Sequence, residues 1–208
     1  MTDTANLLGQ MAAIIVLAGY FPYIISTIRG RTRPNRATWI IWAIVTIIIA
    51  VSYAESGATS TLWVAIVNAA MSVCVALLSL KYGVGGWTPF DRACLFASLA
   101  SLALWQLSGS PLTALGINVL VDAIGALPTI RKAYYEPETE DRLTWVLYLI
   151  GYTVNLAAVD AWNLAIAAYP AYLFCLCAVM VWLLFLRGNK KPQGRENAYQ
   201  PTKSSQPM

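Results

Sequence analysis

The stretch GYFPYIISTIRGRTRPNRATW at residues 19–39 has a counterpart, GALPTIRKAYYEPETEDRLTW, at residues 125–145. Both begin with glycine, carry proline at the fourth position and end on Arg-x-Thr-Trp, so the two copies stand 106 residues apart. In each copy an apolar run precedes the proline, a charged segment follows it, and a second apolar run begins at the tryptophan. Such a long period in an apolar chain predicts a duplicated helix bundle with a site between its halves.

The composition predicts an integral membrane protein. Of the 208 residues, 58% are hydrophobic and only 12% are charged. Soluble domains carry roughly 25% charged residues, about twice this share. The sequence contains seven apolar segments that are candidate membrane spans, numbered 1 to 7 in chain order: 6–28, 37–54, 61–80, 93–107, 112–130, 143–159 and 162–186.

The basic residues predict the orientation of these spans. All fourteen lysines and arginines lie between spans 1 and 2, between spans 3 and 4, between spans 5 and 6, or after span 7. A seven-span arrangement puts all of these segments on one side, which is predicted to be cytoplasmic, with the N-terminus outside the cell (plasma) membrane. The net charge of +4 therefore reflects topology, and no nucleic-acid partner is expected.

The two copies need an extra helix between them if they are to run parallel. Three helices alone would invert the second copy, and span 4 restores its orientation. The predicted fold is all-α, with seven transmembrane helices forming two parallel three-helix repeats joined by a linker helix. The first repeat covers 1–85, the linker helix 86–110 and the second repeat 111–186. The polar segment 187–208 is predicted to be a disordered cytoplasmic tail.

These features resemble the SWEET and PQ-loop superfamily of small-solute transporters. Leu127-Pro128-Thr129 is similar to the start of a SWEET repeat, and residues 19–25 are similar to a PQ-loop opening with Tyr23 in place of glutamine. Neither copy contains Pro-Gln, so the resemblance is to a divergent member. It implies alternating access between two three-helix bundles that carry a small polar solute: a sugar, an amino acid or a vitamin precursor. A ligand-binding receptor or scaffold without transport is the alternative, and homo-oligomer formation stays open.

Four residues are candidates for a hinge or gate. Pro22 and Pro128 each free a backbone carbonyl one turn back in their helix, and Gly19 and Gly125 lie three residues earlier. Because this pair occurs twice at matched depth, we expect the helices to bend here when the cytoplasmic side closes. A static kink that only fixes helix packing is the alternative.

Five residues are candidates for substrate binding. Asn68 is a polar side chain in span 3, which the resemblance places beside the cavity. Trp42 and Tyr148 occupy equivalent positions in the two copies, one turn deeper than the repeated tryptophan, where they can stack on a ligand. Asp122 is an acid inside a span, which is costly and makes it a candidate for binding a proton or a cationic substrate group; a hydrogen-bonded or ion-paired structural acid is the alternative. Tyr169 lies beside a proline that is predicted to break span 7.

Other polar and aromatic residues have structural interpretations. Trp39 and Trp145 are interpreted as anchors at the membrane interface. Asn118 and Asn155 are expected to form hydrogen bonds between helices. The acidic segment 136–141 is interpreted as a solvated loop.

Several function classes are excluded or disfavoured by what the sequence lacks. It contains no histidine, which removes histidine-based metal sites, catalytic triads and proton relays. Its four cysteines lie in apolar runs without CxxC spacing. We therefore expect no metal, no cofactor and no enzymatic activity. A retinal photoreceptor is nearly excluded, because residues 162–186 contain no lysine to form the Schiff base.

Overall fold

The computed structural model describes residues 2–85, 88–107 and 111–187, and these residues are all-helical. Among the described residues, a short 3-10 helix, Pro137–Thr139, lies between the fifth and sixth of the seven α-helices. The predicted tail beyond Arg187 lies outside the described residues, as do 86–87 and 108–110 of the predicted linker. The helices are α1 Thr2–Ile28, α2 Arg36–Glu55, α3 Leu62–Tyr82, α4 Pro89–Leu107, α5 Pro111–Tyr135, α6 Arg142–Ala157 and α7 Leu164–Arg187.

Equivalent caps begin α2 and α6. The side chain of Asn35 accepts a hydrogen bond from the backbone amide of Thr38 at 3.2 Å. The side chain of Asp141 accepts one from the amide of Thr144 at 2.9 Å. Such caps satisfy amides that the first helical turn leaves without a partner. The two capping residues also stand 106 positions apart, so the internal repeat extends to the local structure.

The prediction that Pro170 breaks span 7 is wrong, because α7 runs through this residue. A proline inside a helix leaves the carbonyl four residues earlier without its amide donor. That carbonyl belongs to Ile166, and the hydroxyl of Tyr53 donates to it at 2.5 Å. A side chain from α2 thus supplies the missing hydrogen bond and allows the helix to continue.

Within the described residues, four helices are long and apolar enough to cross a membrane: Asp3–Ile28 in α1, all of α2, all of α3, and Leu164–Leu186 in α7. The protein is therefore a membrane protein. α6 has 16 residues and extends only about 24 Å, less than the roughly 30 Å of a bilayer's hydrocarbon core. Seven spans stay a prediction.

The helices pack in a defined set of pairs. α1 packs against α3 and α6, and α2 packs against α3 and α5. α5 also packs against α4 and α7, while α6 packs against α7. The buried core is built mainly from side chains of the three helices before α4 and the three after it.

The connections between helices meet at two ends of the bundle. At the first end, Arg33 before α2 donates its amide to the carbonyl of Thr139 before α6 at 3.0 Å, and Asn35 pairs with Val84 after α3. We call this the basic end, because many arginines and lysines lie there. At the opposite end, the connection between α2 and α3 meets the connection between α6 and α7 through Asp160.

Candidate functional site

A cavity lies inside the bundle, and every helix except α4 contributes described residues to its lining. Its volume, counted as the space open to the centres of water molecules, is about 30 Å³. This is room for about two or three waters. The lining residues are Tyr20, Trp39, Trp42, Thr46, Asn68, Ser72, Asp122, Trp145, Tyr148, Tyr152, Tyr169, Leu173, Leu176 and Cys177.

All five residues that the sequence marks as candidates for substrate binding line this one cavity. They are Trp42, Asn68, Asp122, Tyr148 and Tyr169, and each is buried, with at most 8% of its surface exposed. They come from five different helices, so only the folded bundle brings them together. Their role in binding stays a prediction.

Asn68 is the hydrogen-bonding centre of the cavity. Its Oδ1 accepts from the hydroxyl of Tyr20 in α1 at 3.3 Å and from that of Tyr152 in α6 at 3.1 Å. Its Nδ2 donates to the hydroxyl of Tyr169 in α7 at 3.5 Å. Both ends of the amide are therefore engaged by tyrosine hydroxyls. A ligand that binds Asn68 has to displace at least one of these phenols.

Asp122 is the acidic group of the cavity and is 2% exposed. One carboxylate oxygen accepts from the hydroxyl of Tyr172 at 2.5 Å, and the backbone carbonyl of Asp122 accepts from the indole of Trp42 at 3.2 Å. The lining contains no lysine or arginine. In the part of the chain that the structure describes, this carboxylate thus has a phenol neighbour but no basic side chain in the cavity with it.

Aromatic rings form much of the wall of the cavity, and we call the aromatic lining residues the aromatic wall. Tyr20 and Tyr148 have ring centroids 5.0 Å apart, as do Trp39 and Trp42. Trp145 joins Tyr148 at 5.8 Å. These tilted and edge-on arrangements are favourable for aromatic pairs and connect rings from both halves of the chain.

Two tryptophans that were predicted to lie at the membrane interface line the cavity. Trp39 and Trp145 are only 1% and 2% exposed, so the prediction that they anchor the chain at the membrane interface is wrong. The indole of Trp39 donates to the hydroxyl of Tyr23 at 3.0 Å, and that of Trp145 to the carboxylate of Glu140 at 3.0 Å. A buried indole N–H needs a hydrogen-bond acceptor, and these two acceptors allow both rings to lie inside the bundle.

Other lining residues were not singled out from the sequence. Tyr152 lies four residues after Tyr148, and this spacing on one helix face could have identified it. Tyr20 stands inside the repeated stretch, next to Gly19. The expected interhelical hydrogen bonds of Asn118 and Asn155 are not found: both amides are fully buried, and neither has a partner among the described residues.

A set of contacts closes the basic end, and we call it the basic-end closure. The ammonium of Lys132 lies 2.6 Å from a carboxylate oxygen of Glu140, with side chains 7% and 0% exposed. The same ammonium donates to the carbonyl of Arg33, and the amide of Arg33 donates to Thr139. Segment 136–141 is therefore not a simple solvated loop, because Glu140 is buried to pair with Lys132. The indole of Trp145 connects this pair to the cavity wall.

A second set of contacts, the opposite-end closure, closes the other end. The hydroxyl of Tyr53 at the end of α2 donates to the carbonyl of Ile166 in α7 at 2.5 Å. The hydroxyls of Thr59 and Ser60 donate to the carboxylate of Asp160 at 3.2 and 3.4 Å. Both closures join the chain before α4 to the chain after it.

The two candidate hinge glycines are points of close helix contact. A Cβ at Gly19 would lie 2.8 Å from the ring of Tyr148, and one at Gly125 would lie 2.6 Å from Ile41. Gly19 thus allows α1 to approach α6, and Gly125 allows α5 to approach α2. Pro22 and Pro128 lie inside their helices, as predicted. Bending at these positions is not tested by one conformation.

No protein-family model, curated protein or solved structure matches this chain. The candidate site therefore rests on its own geometry.

Proposed function

We propose that this chain is an integral membrane carrier that moves a small polar solute by alternating access between two three-helix bundles. The observation that carries the proposal is the interior cavity that lies between the two closures. The cavity is lined by helices from both sides of α4, and a separate set of contacts closes each end. A carrier needs such a state, because its site must never be open to both sides at once.

The packing of the helices supports two equivalent bundles. The two repeats can be compared by exchanging each helix with its counterpart: α1 with α5, α2 with α6, and α3 with α7. The pair α1–α3 then becomes α5–α7, the pair α2–α3 becomes α6–α7, and the pair α1–α6 becomes α5–α2. All six are packed pairs. Together with the 106-residue repeat, this pattern supports two parallel repeats joined by α4, the SWEET-like arrangement that the sequence resembles.

The size of the cavity indicates which state this is. Space for about two or three waters is far less than the roughly 300 Å³ or more of an ordinary ligand pocket. We therefore propose that this is a contracted conformation of the carrier, and that opening one closure widens the cavity towards that side. The basic end is proposed to face the cytoplasm of the cell, with the N-terminus outside.

A two-step experiment tests the function. Purified protein is first screened by thermal shift against sugars, amino acids and vitamin precursors, since a ligand stabilises the state that binds it. A ligand found in this way is then assayed for counterflow into proteoliposomes. A carrier shows counterflow that stops when both closures are cross-linked. Binding without any flux would reject transport and favour the receptor or scaffold alternative.

A further inference from the structure

The charge balance of the cavity points to the chemistry of its ligand. Asp122 is 2% exposed, and among the described residues no lysine or arginine lines the cavity with it. Lys132, ten residues further along α5, is held by Glu140 and the carbonyl of Arg33. An ionised carboxylate away from water needs an opposite charge or several hydrogen-bond donors. The single side-chain donor described for Asp122, the phenol of Tyr172, leaves room for a cationic ligand.

The aromatic wall fits the same kind of ligand. Seven aromatic residues line the cavity: Tyr20, Trp39, Trp42, Trp145, Tyr148, Tyr152 and Tyr169. The faces of such rings attract ammonium groups, most strongly when the site excludes water. A sugar, in contrast, needs many free hydrogen-bonding groups, and the amide of Asn68 is already engaged by three tyrosines.

The acid is also present in only one of the two repeats. The position equivalent to Asp122 in the first repeat is Val16, which is fully buried. Counted from the first residue of each helix, the position in α7 equivalent to Asn68 is Pro170, which carries no amide side chain. The site therefore offers a carboxylate from α5 and an amide from α3, which suits a ligand with one cationic end and one hydrogen-bonding end.

We propose that this cavity binds a small organic cation, an ammonium compound held by the carboxylate of Asp122 and by the surrounding aromatic rings. The inference rests on the proposed carrier function and names the class of its solute. Because the empty cavity holds only a few waters, entry of the cation requires one closure to open and the rings to move apart. Tyr172 then keeps Asp122 oriented, while the ammonium supplies the missing charge.

A matched pair of probes tests the charge directly. Choline and 3,3-dimethylbutan-1-ol have the same shape and the same hydroxyl, but only choline is charged. Methylammonium and tetramethylammonium extend the series to smaller cations. We expect at least one of the three cations to stabilise the purified full-length protein in a thermal-shift assay. For choline, affinity measured by calorimetry should exceed that of the neutral alcohol by about tenfold or more, the scale of a desolvated cation–π contact with a carboxylate nearby.

Two variants locate the effect. Asp122→Asn keeps the shape of the side chain and should reduce cation affinity by about tenfold or more, towards that of the neutral alcohol. Glu55→Gln removes an exposed acid at the end of α2, outside the cavity, and should leave cation affinity unchanged. If Asp122→Asn does not fold, the comparison of choline with its neutral analogue in the unmodified protein still decides the question.

The proposal is overturned if none of the three cations binds, or if the neutral alcohol binds as well as choline. It is also overturned if Asp122→Asn folds and keeps full cation affinity. Binding of a neutral sugar in place of the cations would reject the organic cation but leave the carrier function standing. The carrier function is tested separately, by a measurement that needs no ligand. It is rejected if the cavity cannot be reached from each side of the membrane in turn.

Discussion

Removing both charges of the buried pair in the basic-end closure should open that end of the cavity. Lys132→Met and Glu140→Gln together keep the length of both side chains, and glutamine keeps an acceptor for the indole of Trp145. The double variant loses the charged donor to the carbonyl of Arg33, a contact that crosses between the repeats. The amide of Arg33 still donates to Thr139, so the closure is weakened and not abolished.

The magnitude follows from the burial of this contact. A hydrogen bond to a charged group contributes about 2 kcal/mol, and the side chain of Lys132 is only 7% exposed, so water screens it little. Since every 1.4 kcal/mol is a factor of ten, the open fraction should rise by about 30-fold. Removing both partners together avoids a lone buried charge, which would destabilise the whole fold by about 3–5 kcal/mol.

Cys177 reports this opening, because it lines the cavity and is 1% exposed. With the cysteines at 74, 94 and 175 replaced by alanine, the rate of its alkylation by a charged thiol reagent follows the open fraction. Lys81→Met is the matched control, since it removes an exposed lysine at the same end of the bundle. With an unchanged melting temperature, a rise below about threefold in the double variant would show that this contact does not hold the basic end closed.

Four further changes have defined outcomes. Tyr53→Phe removes one hydrogen bond of about 1 kcal/mol from the opposite-end closure. Alkylation of Cys177 should therefore become about fivefold faster. An unchanged rate would show that this hydrogen bond does not hold the opposite end closed. Gly19→Ala should lower the melting temperature, because its Cβ meets a buried ring at a cost of about 1–3 kcal/mol, and a neutral result would contradict the close contact. Asn68→Ala should destabilise the fold by about 2 kcal/mol in chemical unfolding, because two tyrosine hydroxyls lose their acceptor; a loss below half of that would mean that water replaces the amide. Replacing Pro22 or Pro128 by alanine should stiffen its helix and slow exchange between open states in single-molecule distance measurements, whereas unchanged exchange would make both prolines packing kinks.

The repeat made much of the cavity predictable from the sequence. Trp42 and Tyr148 were identified because they follow the repeated tryptophans at the same spacing, and both line the cavity. Asp122 was identified because an acid inside a span is too costly to lack a role. Each of these residues is recognisable either because its position is repeated or because its polarity is unusual in a span. Neither feature depends on how a helix is rotated about its axis.

What could not be predicted depends on helix rotation and on partners distant in sequence. Trp39 was assigned to the membrane interface because aromatic residues near helix ends are common there, but its indole bonds to Tyr23 inside the bundle. Glu140 was assigned to a solvated loop because acidic runs usually are solvated, but Lys132 lies close enough to pair with it. Pro170 is predicted from the sequence to break span 7, but Tyr53 satisfies the freed carbonyl. In each case the deciding group lies on another element.

The most direct test of alternating access compares the two sides of the membrane in one experiment. The protein with Cys177 as its only cysteine is placed in right-side-out and in inverted vesicles, and a membrane-impermeant thiol reagent is added to each. We expect slow labelling from both sides in the parent protein. The variant of Lys132 and Glu140 should label faster only from the side of the basic end, and Tyr53→Phe only from the other side. Faster labelling of both variants from the same side, or of either variant from both sides, would contradict the proposed carrier.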